Sequence, residues 1–397
     1  MKKYTLFSFC MLLSVICIGQ GHFIVAGSGK AENFMNFTVV TATIGAVDLN
    51  ADDEIAVFDG NICCGKVILT QPIVFLTEST YADIVASEGQ LELADGYIPG
   101  DQITYKFWDS SASVELSGIT PEYLDPFGNP IAAPTFSNGG SAIVNLSYIK
   151  FLNIKVLLEG PYNGIGGMVT TLNSNNLIPL TSEIAYSSAQ YGYTPSAVTS
   201  IPNAGIIDWV LVELRDAVTP ETALPSTKLS GWPKAYFLKS DGFIVDLDGT
   251  SLLNIGNPTV TNNLYVIVRH RNHIDIMSAN GATLNNVTYS YDFTDALTKV
   301  YGGARGYKQV GSMFAMVGGD IDKDGSIYVS DYNSWAVSFG QINGYYPADI
   351  NFDGACYVSD YNSWAVNFGT TNPITKSANL INGAVNPAII YTSQVPK

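Results

Sequence analysis

The hydrophobic positions alternate with polar ones over short runs through most of the chain. Glu54–Phe58 and Gln102–Trp108 are two such runs, and Asp59-Gly60 and Pro99-Gly100-Asp101 punctuate them as turns. Period-two runs with turn signals between them predict half-buried strands and, repeated from about Gly21 to Ile149, a β-sandwich. Helical spacing is scarce there, and Tyr81–Gly89 is the one stretch expected to form a short turn of helix. Between about 150 and 313 the pattern changes. Asp208–Arg215 and Asn263–His270 are nearly continuous apolar runs rich in Val, Ile and aromatics, as central strands covered on both faces require. With Pro202–Gly205 and Ser240–Gly242 as loop signals, a second β-sandwich is expected.

A third pattern follows. Tyr328–Val337 recurs without change as Tyr357–Val366, 29 positions on. Within each copy, Tyr332, Trp335 and Phe339, and then Tyr361, Trp364 and Phe368, fall on one face of a helix. Gly340 and Gly369 are placed to end those helices. Two helices packing these aromatics against each other is the expectation; an exposed aromatic platform for sugars is the alternative. The fold class is therefore mainly β: β-sandwich domains over 20–149 and 150–313, then a small helical module over 314–369. A polar tail over 370–397 follows, carrying the apolar patch Ala388–Tyr391.

The first residues change the picture of where the protein works. Lys2 and Lys3 precede an apolar run from Leu6 to Ile18 and then Gly19, which reads as an export signal over 1–19. The run is shorter than the about 20 residues a membrane span needs, and no other stretch approaches that length, so no span is expected in the mature chain. Secretion or display at the cell surface follows as the expected location. Cys63, Cys64 and Cys356 would then remain, too few for a disulfide framework. The formal net charge is −16, and residues 320–360 hold seven aspartates against one lysine. No basic patch fits a nucleic acid, whereas divalent cations fit the acidic segments.

The acid is organised. Asp320, Asp322, Asp324 and Asp331 stand at positions 1, 3, 5 and 12 of a loop with Gly325 at position 6. Asp349, Asn351, Asp353 and Asp360 repeat this around Gly354. Ca²⁺ takes about six to eight oxygens at roughly 2.3–2.6 Å, which a tight loop supplies by turning alternate side chains inward. Position 7 offers its carbonyl, here from Ser326 and Ala355. Position 12 meets the start of the following helix. Two Ca²⁺ ions are expected, with loop one, richer in carboxylate, the tighter.

On these residues the paired loops resemble type I dockerin repeats. The resemblance covers about 50 residues and implies two calcium-bound loop–helix units that dock onto cohesin domains. It implies Asp320, Asp322, Asp324, Ser326 and Asp331 as ligands of one ion, and Asp349, Asn351, Asp353, Ala355 and Asp360 as ligands of the other. The basic and hydroxyl residues with which that family often meets cohesin are mostly absent here, so a cohesin-like or another surface protein remains open as partner, as does polysaccharide.

Candidate catalytic chemistry is confined to Arg269–His273, which holds two of the three histidines. Glu213, Asp216, Asp246 and Asp248 are the carboxylates that could orient a histidine base. A charged strand end, its arginines paired with acids of the next strand, is the expected role. The two histidines, three apart on a strand, should face opposite sides. Asp246–Gly249 and the group Asp48, Asp52, Asp53 and Asp59 are weaker candidates for further calcium sites. Two functions follow from the sequence. One is a secreted, non-catalytic calcium-binding protein with a dockerin-like docking module and β-sandwich recognition or spacer domains. The other is an extracellular polysaccharide-degrading component, of glycoside hydrolase type, tethered through that module.

Overall fold

The computed structural model describes residues 21–27, 33–45, 47–74, 77–89 and 95–371. The expected export signal over 1–19 and the tail beyond 371 lie outside them. The chain is mainly β and forms two compact units, Met1–Tyr148 and Ile149–Lys397.

In the first unit the strand Phe34–Ile44 lies between Ala82–Ser87, antiparallel to it, and Ser141–Tyr148, parallel to it. Thr120–Leu124 continues that sheet. A second, four-stranded antiparallel sheet runs Ile62–Ile68, Glu54–Asp59, Thr104–Asp109, Val114–Ser117. Alternation puts Phe37, Val39, Val144 and Leu146 of one sheet, and Ile55, Val57, Tyr105 and Phe107 of the other, into one buried cluster. The short helix expected at Tyr81–Gly89 is instead the strand Ala82–Ser87. Ala82, Ile84 and Ala86 are buried while Asp83 and Val85 are exposed, so the period is two and only Glu78–Thr80 makes a helical turn.

The second unit is built on a continuous nine-stranded set of pairings. Its centre is Ile206–Ala217, between Asn263–His270 and Lys234–Lys239. Every residue of Ile206–Ala217 except Asp216 is buried, as its unbroken apolar run requires. The outer edge of Asn263–His270 pairs with His273–Met277, reached through the two-residue turn Arg271-Asn272. The repeat helices, Val329–Ser338 and Val358–Asn367, belong to this same unit. Phe352, in the second acidic loop, is fully buried and belongs to the same main core cluster as Trp209 and Phe237. No described helix is long and apolar enough to cross a membrane.

Candidate metal centre

The two acidic loops share a backbone as well as a sequence. Gly325 and Gly354 at position 6 take φ of 88° and 86°, a left-handed turn that a side chain would oppose. Lys323 and Phe352 at position 4 take 65° and 63°. Position 12 builds the helix start in both copies. Asp331 accepts the N–H of Tyr328 at 2.9 Å, and Asp360 accepts that of Tyr357 at the same distance. Their other oxygens hold the loop's own turn. Asp331 accepts from Ile321 (2.6 Å) and Asp322 (3.1 Å), and Asp360 from Ile350 (2.8 Å) and Asn351 (3.2 Å).

The carboxylates of Asp320, Asp322 and Asp324 each bring an oxygen within 4.8 Å of the others. No other three His, Cys, Asp or Glu side chains gather so among the described residues. Asp331 stands outside this group because its short side chain is spent on backbone amides. In loop two, Asp349 accepts from Asp353 (3.2 Å) and Gly354 (3.0 Å), and Asn351 donates to Asp353 at 3.0 Å. The donors in both loops are oxygens, as a hard cation needs. The buried hydroxyl of Ser326 has no hydrogen-bond partner among the described residues. The residues present therefore fit a Ca²⁺ ion, above all in loop one.

Electrostatics agree with that fit. Burial pushes the Asp320 carboxyl up to about 8; Lys323 opposes this, while Asp275, Asp331 and Asp324 add to it. Burial likewise raises Asp331 to about 6 and Asp349 to about 7, the latter against the pull of Arg271. Carboxyls raised above their ordinary value of about 3.9 favour the folded state when protonated. Without metal, their contribution to stability is present below about pH 4 and is lost as pH rises through about 6 to 8. In chelator, the melting temperature is therefore expected to fall between pH 5 and pH 8.5. In saturating calcium, which stabilises the ionised form, that slope should flatten or reverse. A melting temperature that rises with pH in chelator would contradict this.

The two copies grip each other reciprocally. Ile327, at position 8 of loop one, pairs with Gly369 and Thr370 beyond the second helix, at 2.8 Å each way. Cys356, at position 8 of loop two, pairs with Gly340 and Gln341 beyond the first helix, at 2.9 Å each way. The indole N–H of Trp335 donates to the Tyr357 carbonyl and that of Trp364 to the Tyr328 carbonyl, both at 3.0 Å. The expected aromatic contact between helices is present. Trp335 and Tyr361 have ring centroids 5.2 Å apart, and Tyr332 and Trp364 5.5 Å. Yet Phe339 and Phe368 remain about half exposed, at 51% and 50%.

Arg269 and His270 end the strand Asn263–His270, as expected, but the chain then turns straight back into a hairpin, with His270 paired across from His273 and an irregular register before His270. The expectation that the two imidazoles face opposite sides therefore fails. They are cross-strand neighbours, with Nδ1 atoms 3.1 Å apart. The sequence offered one cue, two apolar runs separated by Arg271-Asn272, but that pair lacks the glycine of a usual hairpin turn.

All five residues are buried, and the arginines pair with acids as expected. Arg269 meets Glu213 (3.2 Å) and Asp275 (2.6 Å), and Arg271 meets Asp208 at 2.7 Å. Burial drives His270 down to about 4, so its imidazole is neutral at physiological pH.

The hairpin tip plugs into loop two. Arg271 donates to the Tyr346 carbonyl, and its guanidinium lies 4.2 Å from the Tyr345 ring centroid and 4.7 Å from that of Phe352. Asn272 donates to the carbonyls of Pro347 (2.9 Å) and Asp349 (2.7 Å). Lys323 of loop one donates to the His273 carbonyl at 3.2 Å. Both histidines are fully buried: His270 bonds Asp208 at 3.2 Å, His273 accepts the Gly160 N–H at 3.2 Å, and Phe352 of loop two packs near both rings.

At the weaker calcium candidates, Asp248, Asp53 and Asp59 are held by backbone N–H donors. Asp248 accepts from the N–H groups of Thr250 and Ser251, both at 2.8 Å. Asp53 accepts from Asn50 (2.7 Å) and Ser110 (2.8 Å), and Asp59 from Ile98 (2.8 Å). Cys63, Cys64 and Cys356 are buried and unpaired with one another.

No family model matches the chain, and no curated protein does. Among solved structures, it is similar to a chain of a type II Cohesin-X-Dockerin complex from Acetivibrio cellulolyticus, a C-terminal interface mutant. The identity is 15%, over 56% of this chain and 97% of that one, with a TM-score of 0.28. An N-terminal interface mutant of the same complex is 17% identical over 44% of this chain and 89% of that one, with a TM-score of 0.26. Scores this low do not establish a shared fold.

Proposed function

We propose that this is an exported, non-catalytic protein whose paired acidic loops bind two Ca²⁺ ions and present a dockerin-like surface. In this reading the first unit is a β-sandwich, because its two sheets share one buried cluster. The β domains serve as recognition or spacer elements. The observation that carries the calcium reading is the convergence of Asp320, Asp322 and Asp324 within 4.8 Å, in a loop whose backbone recurs 29 residues later. Asp320, Asp322, Asp324, Ser326 and Asp331 would serve one ion. Asp349, Asn351, Asp353, Ala355 and Asp360 would serve the other, with Asp331 and Asp360 turning from backbone amides toward the metal. The ion's contribution is charge neutralisation; the chain's own residues set the loop turn and the helix start.

The half-exposed Phe339 and Phe368, with Val337 and Val366 (83% and 73% exposed), give the paired helices an apolar outer surface suited to a protein partner. The polysaccharide-degrading alternative loses its catalytic candidates, since His270 and His273 are sealed beneath loop two.

Calorimetry on the intact chain tests the calcium reading. Two calcium equivalents are expected, with Asp324→Ala and Asp353→Ala each abolishing one. The intact chain is the proper sample because loop two contributes Phe352 to the core of the β domain. Absence of heat on titration into the folded, chelator-stripped chain would refute it.

A further inference from the structure

The second unit has a cavity of about 670 Å³ between the loop around Tyr193 and the strand Lys234–Lys239, with Asp246 and Asn254 on its wall. That volume lies in the roughly 300–1,000 Å³ range of small-molecule sites. Three of its lining side chains are aromatic: Tyr193, Trp232 and Tyr236, all at least nine-tenths buried. Tyr193 spends its hydroxyl on the protein, donating to the Tyr186 carbonyl at 2.9 Å. Tyr236 does not. It is 4% exposed, yet its hydroxyl has no hydrogen-bond partner among the described residues, and neither has the indole N–H of Trp232. Neither tip is sealed from solvent, so both remain open on the cavity wall, and a ligand that strips their water must replace its hydrogen bonds.

The rest of the wall supplies the complement. Lys234 places its ammonium 5.1 Å from the centre of the Trp232 ring. Asp246 uses one carboxylate oxygen for the Leu247 N–H at 2.7 Å and meets the Asn254 N–H only at 3.4 Å with the other. The cavity thus offers donors and acceptors around aromatic rings, and its single positive and single negative charge cancel. A simple anion or cation would leave one of them opposed, and a purely apolar ligand would leave the tyrosine and tryptophan tips unsatisfied. A neutral ring compound bearing several hydroxyl groups satisfies all of them.

From this geometry we infer that the cavity bounded by Trp232, Tyr236, Asp246 and Asn254 binds a sugar ring of an oligosaccharide. The inference deepens the recognition role assigned above to the β domains and does not depend on calcium.

The test is calorimetry of the calcium-loaded intact chain with soluble neutral hexasaccharides of glucose, xylose and mannose. Saturable one-to-one binding by at least one of them is expected. Tyr236→Phe removes only the hydroxyl, and Asp246→Asn only the charge. Each should weaken binding about tenfold, the scale of one hydrogen bond to a charged or buried group. Asn254→Ala, on an exposed residue, should weaken it in the same sense and guards against a folding defect in the other two. Calcium uptake, measured alongside, should be unchanged in all three. The inference is overturned if no hexasaccharide binds saturably to the folded chain, whether or not that chain takes up calcium, or if all three variants bind as the unaltered chain does.

Discussion

Stripping calcium from the intact chain should lower its melting temperature by roughly 10 °C for each ion lost. A ligand that binds only the folded state stabilises it by about 4 kcal/mol when its free concentration is a thousandfold above Kd. In a unit of this size each kcal/mol moves the midpoint by about 2–4 °C. The expectation concerns the whole second unit rather than the repeats alone. Phe352 sits between loop positions 3 and 5 and is also part of the β core, so loop two cannot loosen while that core stays intact. Scanning calorimetry in calcium, in magnesium and in chelator reads this directly. Magnesium should restore little of the shift, since it demands a stricter octahedral shell. Superimposable melts in calcium and chelator would dispose of the expectation.

Replacing Arg271 by alanine should cost about 3–5 kcal/mol, the usual penalty for leaving one member of a buried ion pair alone. The partner left behind is Asp208, fully buried in the central strand. Burial by itself would raise the Asp208 carboxyl; the Arg271 guanidinium, with His270, holds it below the usual range. Tyr345 donates to its other oxygen at 2.5 Å. Loss of Arg271 also removes the contact to the Tyr346 carbonyl and the cover over the Phe352 ring. Urea denaturation measures the cost. A second reading, Asp208→Asn in the Arg271→Ala background, should recover part of it, because the stranded charge is then gone. If Arg271→Ala denatures with the unaltered chain, the hairpin tip has no holding role.

How much of this could be read in advance depended on whether the cause was local. Asp320, Asp322, Asp324 and Gly325 are brought together within one loop, so sequence displays their spacing, and the 29-residue repeat displays it twice. Ile206–Ala217 and Asn263–His270 were legible as central strands for a similar reason: burial on both faces leaves long apolar stretches, Trp209–Val212 and Leu264–Val268, with few polar positions between them. The strand Ala82–Ser87 was missed because two of its three inward residues are alanines, which signal neither period strongly. The role of Arg271 and Asn272 was hidden because it is a distant contact. Nothing near these residues in the chain announces the carbonyls they meet, that of Tyr346 for Arg271 and those of Pro347 and Asp349 for Asn272. The cavity around Tyr236 was equally silent, being assembled from separated stretches at 192–196, 231–236 and 246–254.

The exchange of edges between the copies, Ile327 with Gly369 and Cys356 with Gly340, sets the smallest viable form of this fold. A single loop and helix would leave its own edge bare, because the segment that covers it belongs to its twin. Duplication is thus a condition of folding here, and a chain shortened to one copy should be degraded rather than bind half as well. Occupancy is tied in the same way: an ion settling in either loop firms the border of the other, so the response to rising calcium should be steeper than two independent sites would give.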